Sequence, residues 1–199
     1  MANAKLTLDD IADLRAYERE RSEFRQRVIG LKRRRRVSVG PIVTLVFENA
    51  DTVRFQIQEM ARAERLLSDE AVQAELDTYN PLIPEPGQLS ATLFVELTTK
   101  DDLVEWLPKL VGIERSVELL IGGREPDVVR GVVDPGHAAH LTRQEVTASV
   151  HYLRFEMSAT QVARFGAEPV VLAVNHPSYA EGAQLSDDTK ATLLEDLRD

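Results

Sequence analysis

The strongest constraint on the fold is a change in the spacing of apolar residues near residue 36. Before it, apolar residues from Leu8 to Leu31 mostly recur every three or four positions, which is the period of an amphipathic helix. After it, residues 42–47 are apolar on both faces, as in a central strand that is covered on both sides. The sequence therefore predicts an N-terminal helical arm over residues 1–36. A single α+β domain over residues 37–199 follows, with a mixed, largely antiparallel sheet covered by helices.

Strand-forming runs and helix-start signals alternate along the rest of the chain. Runs rich in β-branched and aromatic residues predict strands at 89–98, 116–121, 128–133, 145–157 and 169–174. Serine or threonine followed by an acidic residue or glutamine predicts helices that begin near Ser68, Thr99, Ser158 and Ser186. The strands that end near Glu96 and Glu156 lead into helices in similar ways, and residues 55–60 form a looser third copy. A structural repeat and a chance likeness are both open interpretations.

The first candidate site lies in residues 52–64, which predict a strand that pairs with residues 42–48 through a turn. In a strand, Arg54, Gln56 and Gln58 share one face, and Glu59 and Arg62 follow directly. Arginine offers a planar fork for carboxylate or phosphate, and glutamine both donates and accepts hydrogen bonds. One interpretation is a ligand-binding wall, and the other is an ion-pair network within the protein.

The second candidate site is the proline-rich loop that follows residue 78. Tyr79 and Asn80 stand at its start, and prolines at 81, 84 and 86 stiffen it. Rigid loops often carry binding sites. The alternative is that Tyr79 fills the core while Asn80 ends a helix.

Two further arrangements of carboxylates are candidate sites. Glu96 and Glu156 form a pair for acid–base or metal chemistry if the two strand ends converge, and otherwise each caps a helix or pairs with an arginine. His137, His140 and Glu145 have spacing that a divalent metal could use, but they lack a strict metal motif. The sequence therefore predicts no bound metal, and it predicts no cofactor because it contains neither glycine-rich phosphate loop.

Composition and charge limit the remaining classes. The chain has no cysteine, which excludes disulfides, thiolate zinc sites and Cys-ligated iron–sulfur clusters within it. No apolar run approaches the roughly 18–20 residues of a membrane span. The N-terminus lacks the pattern of a signal peptide, so we expect a cytoplasmic protein that does not enter a membrane.

Charge is distributed unevenly along the chain. Residues 15–36 carry ten basic and three acidic side chains, a balance of +7, whereas the whole chain carries −9 and the remainder therefore −16. Such asymmetry indicates partners or self-association. The acidic remainder makes nucleic acid an unlikely partner, and it makes a homodimer through the basic N-terminal helix an expectation to test.

Three segments resemble one uncharacterised bacterial family. They are GPIVTLVFEN from Gly40, DTVRFQIQEMARAE from Asp51 and YNPLIPEPGQLSATLFVEL from Tyr79. With them the chain resembles the family catalogued as domain of unknown function 3501, over nearly its full length. The resemblance implies a supporting role in redox or peroxide defence, because genes of that family often lie beside those for rubrerythrin-like di-iron proteins and iron–sulfur oxidoreductases. It supplies no catalytic residues.

Two functional hypotheses follow. The first is a non-catalytic accessory or binding protein in a redox or oxidative-stress system, which contacts a partner or small anion through the Arg54–Arg62 surface. The second is a small metalloenzyme or hydrolase that uses Glu96, Glu156 and a histidine.

Overall fold

The computed structural model describes residues 4–133 and 146–198, and it is an α+β fold with two antiparallel sheets. Within the described residues, the first sheet has the strand order β1-β2-β3-β7-β6 and the second the order β5-β4-β8-β9. The strands are β1 Arg36–Val39, β2 Val43–Glu48, β3 Gln88–Val95, β4 Val117–Ile121, β5 Asp127–Arg130, β6 Val132–Val133, β7 Val150–Glu156, β8 Val170–His176 and β9 Tyr179–Gln184. The predicted fold class is confirmed.

The two sheets face each other across one core. Leu45, Leu93 and Phe155 enter it from the first sheet, and Leu119 and Leu172 enter it from the second. Burial of these apolar side chains supplies the main stabilising free energy of the fold. Because side chains alternate along a strand, the neighbours of these residues point to the opposite face of each sheet.

The two sheets are connected where the chain passes from β5 to β6 at Gly131 and where Tyr179 of β9 contacts β1. The Gly131 N–H, between β5 and β6, donates to the Val117 carbonyl at 2.8 Å. The Tyr179 hydroxyl at the start of β9 donates to the Val39 carbonyl at 2.6 Å. The predicted strand at 128–133 is therefore divided by Gly131 between the two sheets.

The first three helices cover the outer face of the first sheet, and the other three pack side chains against the shared core. Within the described residues the α-helices are α1 Leu14–Arg35, α2 Ala50–Glu64, α3 Asp69–Tyr79, α4 Lys100–Lys109, α5 Ala159–Ala167 and α6 Asp187–Arg198. Helix α1 packs Tyr17, Phe24 and Val28 beside Phe55 of α2. It is also tied to α6, because Arg35 and Asp196 form a buried pair with N–O distances of 2.6 and 2.9 Å. The N-terminal helix is confirmed, and the division at residue 36 stays a prediction.

The strand predicted at 52–58 is wrong, because these residues belong to α2. Asn49 caps the helix: its side chain accepts from the Thr52 N–H at 3.0 Å, and the Thr52 hydroxyl accepts from the Asn49 N–H at 2.9 Å. Val53, Ile57 and Ala61, spaced by four, form the buried stripe. Residues two apart do not share a face of a helix, so the predicted hairpin, the third copy of the repeat and the single polar wall are all incorrect.

Candidate ligand-binding site

A cavity of about 240 Å³ lies between the outer face of the first sheet and helices α1, α2 and α3. The sheet supplies its floor because every second residue of β2, β3 and β7 points away from the shared core. Its polar lining consists of Lys32, Glu48, Thr52, Gln56 and Thr92. Its apolar and aromatic lining consists of Val53, Tyr79, Leu82, Phe94, Val150 and Tyr152. Such a mixture of apolar walls and a few polar groups is typical of small-molecule sites.

Glu48 is the charged group at the base of this cavity. Only 8% of it is exposed. The Thr52 hydroxyl donates to its Oε2 at 2.5 Å, and the Thr92 hydroxyl donates to its Oε1 at 2.6 Å. None of the ion pairs among residues 4–133 and 146–198 includes Glu48. A buried carboxylate without a cationic partner is unusual, because burial penalises a charge that is not paired.

Two tyrosines stand beside this carboxylate. Tyr152 lies opposite Thr92 in the strand register, and Tyr79 ends α3. Burial raises the pKa of the Tyr152 phenol above its ordinary value, and the neighbouring Tyr79 and Glu48 raise it further. The Tyr152 hydroxyl therefore remains protonated at neutral pH. The cavity thus combines an acidic group with phenol and aromatic surfaces.

Gln56 and Tyr79 are the predicted site residues that line the cavity. Gln56 is exposed and lies at the rim, whereas Tyr79 is half-buried. The other residues of the predicted Arg54–Arg62 surface point elsewhere, since helical geometry separates positions that a strand would have aligned.

Glu59 holds α2 against α1. Its carboxylate accepts from Arg21 through two bonds of 2.7 and 2.8 Å and from the Tyr17 hydroxyl at 2.6 Å. The Arg21 hydrogen bonds lower the pKa of Glu59 to about 2, against the raising effect of burial and with help from Tyr17. The pKa of Tyr17 is raised by burial and by its hydrogen bond to Glu59. This is an ion-pair network within the protein.

The remaining members of the predicted surface also bind within the chain. Arg62 pairs with Glu18 at 2.5 Å. Arg54 lies 3.8 Å from a Glu20 oxygen, and its guanidinium stacks on the Phe24 ring at 5.2 Å from the centroid. The buried Gln58 amide accepts from the Ala12 N–H at 2.7 Å and donates to the Ala12 carbonyl at 3.2 Å. Of the two interpretations of this segment, the contacts favour the internal network.

Asn80 anchors the N-terminal segment. Its side chain accepts from the Leu6 N–H at 2.8 Å and donates to the Leu6 carbonyl at 2.9 Å. The Lys5 ammonium donates to the carbonyls of Asn80 and Ile83 at 3.1 and 2.6 Å. These bonds occupy the Asn80 side chain with backbone, so it stands apart from the cavity lining.

Glu96 and Glu156 do not share a site. The register places Glu156 opposite Gln88, at one end of β3, while Glu96 follows the other end. Eight residues of strand correspond to about 27 Å. Glu96 pairs with Arg36 and accepts from the Thr44 hydroxyl at 2.7 Å, and Glu156 is exposed. Of the two interpretations of these residues, the contacts favour separate strand ends, and Glu96 pairs with an arginine.

The described histidines have structural partners. Nε2 of the buried His151 lies 2.9 Å from the Thr147 hydroxyl and 2.9 Å from the Ala148 carbonyl, and burial lowers its pKa. His176 accepts from the Ser178 N–H at 3.2 Å, in the turn between β8 and β9. His137, His140 and Glu145 lie outside the described residues. Within residues 4–133 and 146–198, no group of three or more candidate ligands is placed to hold a metal ion.

Sequence reasoning missed the group at the centre of the cavity. Glu48 was only the last residue of the predicted strand 42–48, and Thr92 and Tyr152 were only residues of the predicted strands 89–98 and 145–157. The position of Glu48 was a usable signal. It ends a strand that is covered on both faces, so its carboxylate is expected to be buried, and a buried carboxylate is rare. Its hydroxyl donors come from positions 4 and 44 residues away, and no local pattern reveals the more distant one.

The fold and the site together define an α+β protein with a ligand-sized cavity on the outer face of an antiparallel sheet. The chain belongs to the family described as Protein of unknown function (DUF3501), whose model matches residues 5–197. It is similar to a crystal structure of a novel protein of unknown function from Burkholderia pseudomallei K96243, with 37% sequence identity and a TM-score of 0.88. That alignment covers 98% of this chain and 100% of the other. The search of curated proteins returned no match.

The family resemblance seen in the sequence is thus confirmed. Among the described residues, no helix combines the length and the apolar character that crossing a membrane requires.

Proposed function

We propose that this protein is a non-catalytic accessory or binding protein whose ligand occupies the cavity around Glu48. The observation that supports the proposal best is a buried carboxylate that faces a cavity of about 240 Å³ without a basic partner among the described residues. Such an arrangement favours ligand binding. The free protein already bears the electrostatic cost of the buried carboxylate, and a ligand that pairs with it lowers that cost.

The lining favours binding over catalysis. The cavity presents two threonine hydroxyls, but both donate to Glu48. Within residues 4–133 and 146–198, neither is hydrogen-bonded to a histidine or lysine base, which is the arrangement that activates a hydroxyl nucleophile. The alternative of a small metalloenzyme or hydrolase also loses its main support, because Glu96 and Glu156 stand at opposite ends of β3.

The cellular setting rests on the family resemblance. We place the binding function in the cytoplasm and in a redox or oxidative-stress system, with partners of the rubrerythrin or iron–sulfur oxidoreductase type. The chain has no cysteine to carry a cluster or a redox-active thiol. An accessory role beside a redox protein suits that composition better than electron transfer by this chain.

The test is a ligand-observed NMR screen of a small-molecule metabolite library against the full chain and a cavity-filling variant. Val150→Trp places a large side chain into the cavity from β7, where aromatic residues are well tolerated. The matched control, Val132→Trp, makes the same change at a strand position that is 60% exposed and outside the cavity. We expect compounds that bind the wild-type and the control but lose binding to Val150→Trp. A screen without any such compound would refute the cavity as a ligand site.

A second surface supports the proposed contact with an acidic partner or a second copy of the chain. Arg15, Arg19, Arg33 and Arg34 of α1 are exposed, and none forms an ion pair among the described residues. Exposed like charges of this kind steer association with an acidic surface. If α1 mediates dimerisation, the double variant Arg19→Glu/Arg33→Glu will be monomeric in light scattering while the exposed control Arg124→Glu stays dimeric. A wild-type protein that is monomeric at high concentration would refute the proposed homodimer.

A further inference from the structure

We infer that the Glu48 cavity selects small organic cations, specifically ligands that carry a primary ammonium group on a short aromatic or apolar body. The inference rests on the proposed function and adds to it the chemical class of the ligand. Its basis is the unmatched charge of Glu48 together with the surfaces that surround it.

Glu48 has hydrogen-bond acceptor sites that no group of the protein uses among the described residues. An ionised carboxylate offers about four lone-pair sites. The Thr52 and Thr92 hydroxyls each donate to a different oxygen, so each oxygen retains one unused site. The two donors are neutral and leave the negative charge in place. A primary ammonium brings a full positive charge and three N–H donors, and charge-assisted bonds of this kind are about twice as strong as neutral ones.

The walls of the cavity are aromatic and aliphatic. Phe94, Tyr79 and Tyr152 supply three aromatic rings, and Val53, Leu82 and Val150 supply aliphatic surface. Aromatic faces attract cations, and the attraction is stronger where the cation is shielded from water. The same surfaces exclude water from an apolar ligand body. An organic cation therefore satisfies both the base and the walls of the cavity, whereas a metal cation would leave the aromatic and aliphatic walls unused.

The cavity lining also contains a basic residue. Lys32 of α1 borders the cavity and is half-buried, but it is not within ion-pairing distance of Glu48. Its ammonium repels a ligand cation weakly and would attract a ligand carboxylate. The two charged residues therefore attract different ligands: an anion would bind near Lys32, and an ammonium would bind near Glu48.

The test is isothermal titration calorimetry of the full chain at pH 7 with benzylammonium, benzyl alcohol and benzoate. The three probes share a ring and a nearly equal size, and they differ in charge. We expect benzylammonium to bind at least about tenfold more tightly than benzyl alcohol, and benzoate to bind most weakly, because the ammonium alone forms charge-assisted hydrogen bonds with the carboxylate. Tighter binding of the alcohol or the benzoate, or no binding of benzylammonium, would overturn the inference. This comparison on the unmodified protein does not depend on whether a variant folds.

Variants locate the charge that is responsible. Glu48→Gln keeps the shape and the acceptor oxygen but removes the charge, so the preference for benzylammonium should disappear. Glu96→Gln is the matched control, because Glu96 also accepts a threonine hydroxyl but stands outside the cavity. Lys32→Met should bind benzylammonium at least as tightly as the wild-type protein. An unchanged preference in a folded Glu48→Gln variant would contradict the assignment.

The two proposals fail differently. If benzyl alcohol or benzoate binds best and Val150→Trp abolishes that binding, then the cavity is a ligand site and the ammonium class is wrong. If neither these probes nor any library compound responds to Val150→Trp, both proposals fall together.

Discussion

The contact between α1 and α2 is predicted to depend on pH through Glu59. Arg21 and Tyr17 lower the pKa of this carboxyl from 4.5 to about 2. A change of that size corresponds to about 3 kcal/mol if it is fully expressed. The Glu59 side chain remains 27% exposed, however, so solvent screening should reduce its contribution to about 1–2 kcal/mol. We therefore expect Glu59→Gln to lower the free energy of unfolding at pH 7 by about that amount.

The sign of the pH effect follows from the direction of the pKa shift. Because the pKa is lower in the folded protein, the Glu59 contribution is complete above the unfolded value near 4.5 and is lost as the pH falls toward 2. Urea denaturation of both proteins across pH 7 to 2 measures this directly. The two stability curves should differ at neutral pH and converge in acid.

Glu23→Gln provides the matched control for this experiment. Glu23 lies on the exposed side of α1 and forms no ion pair among the described residues. Its stability curve should follow that of the wild-type protein at every pH. Curves for wild-type and Glu59→Gln that run parallel from pH 7 to 2 would refute the proposed role of the Glu59 contacts.

Three further predictions concern stability, each measured by chemical denaturation. Arg35→Ala should cost about 3–5 kcal/mol, because it removes the guanidinium that pairs with the buried Asp196 carboxylate; a loss below about 1 kcal/mol would argue against that pair. Gly40→Ala should cost at least about 1–3 kcal/mol, because Gly40 has φ +69° and a Cβ there would collide with the Tyr179 hydroxyl; unchanged stability would show that the turn relaxes freely. Asn49→Ala should cost about 1 kcal/mol through the lost cap of α2, whereas Asn49→Asp, which keeps the acceptor, should cost little.

Individual helices could be predicted from the sequence wherever the local pattern had one interpretation. The apolar stripe of α1 and the Ser158–Gln161 capping box each correspond to an observed helix. Residues 52–58 had two interpretations, because Val53, Phe55 and Ile57 alternate while Val53, Ile57 and Ala61 are spaced by four. The Asn49 and Thr52 capping pair decides in favour of a helix. A cap is a stronger local signal than three alternating residues, since it satisfies otherwise unpaired backbone groups.

The site was harder to predict than the fold. Gln56 and Tyr79 were identified through residue type, but they were assigned to separate surfaces. Glu48 was not identified, because its significance depends on Thr92 in another strand and on the helices that enclose it. A sequence marks residues capable of chemistry, but convergence of distant segments determines which of them share a cavity.

Two residues of α2 distinguish binding in the cavity from binding on the α1–α2 surface. Gln56 lies at the rim of the cavity, whereas Arg62 pairs with Glu18 on α1. We propose to measure the dissociation constant of the tightest-binding library compound for Gln56→Ala and Arg62→Ala. We expect Gln56→Ala to weaken binding about 3- to 10-fold, as for a lost hydrogen bond, and Arg62→Ala to leave it unchanged. Weakened binding in Arg62→Ala with unchanged binding in Gln56→Ala would refute the cavity as the binding site and favour the α1–α2 surface instead.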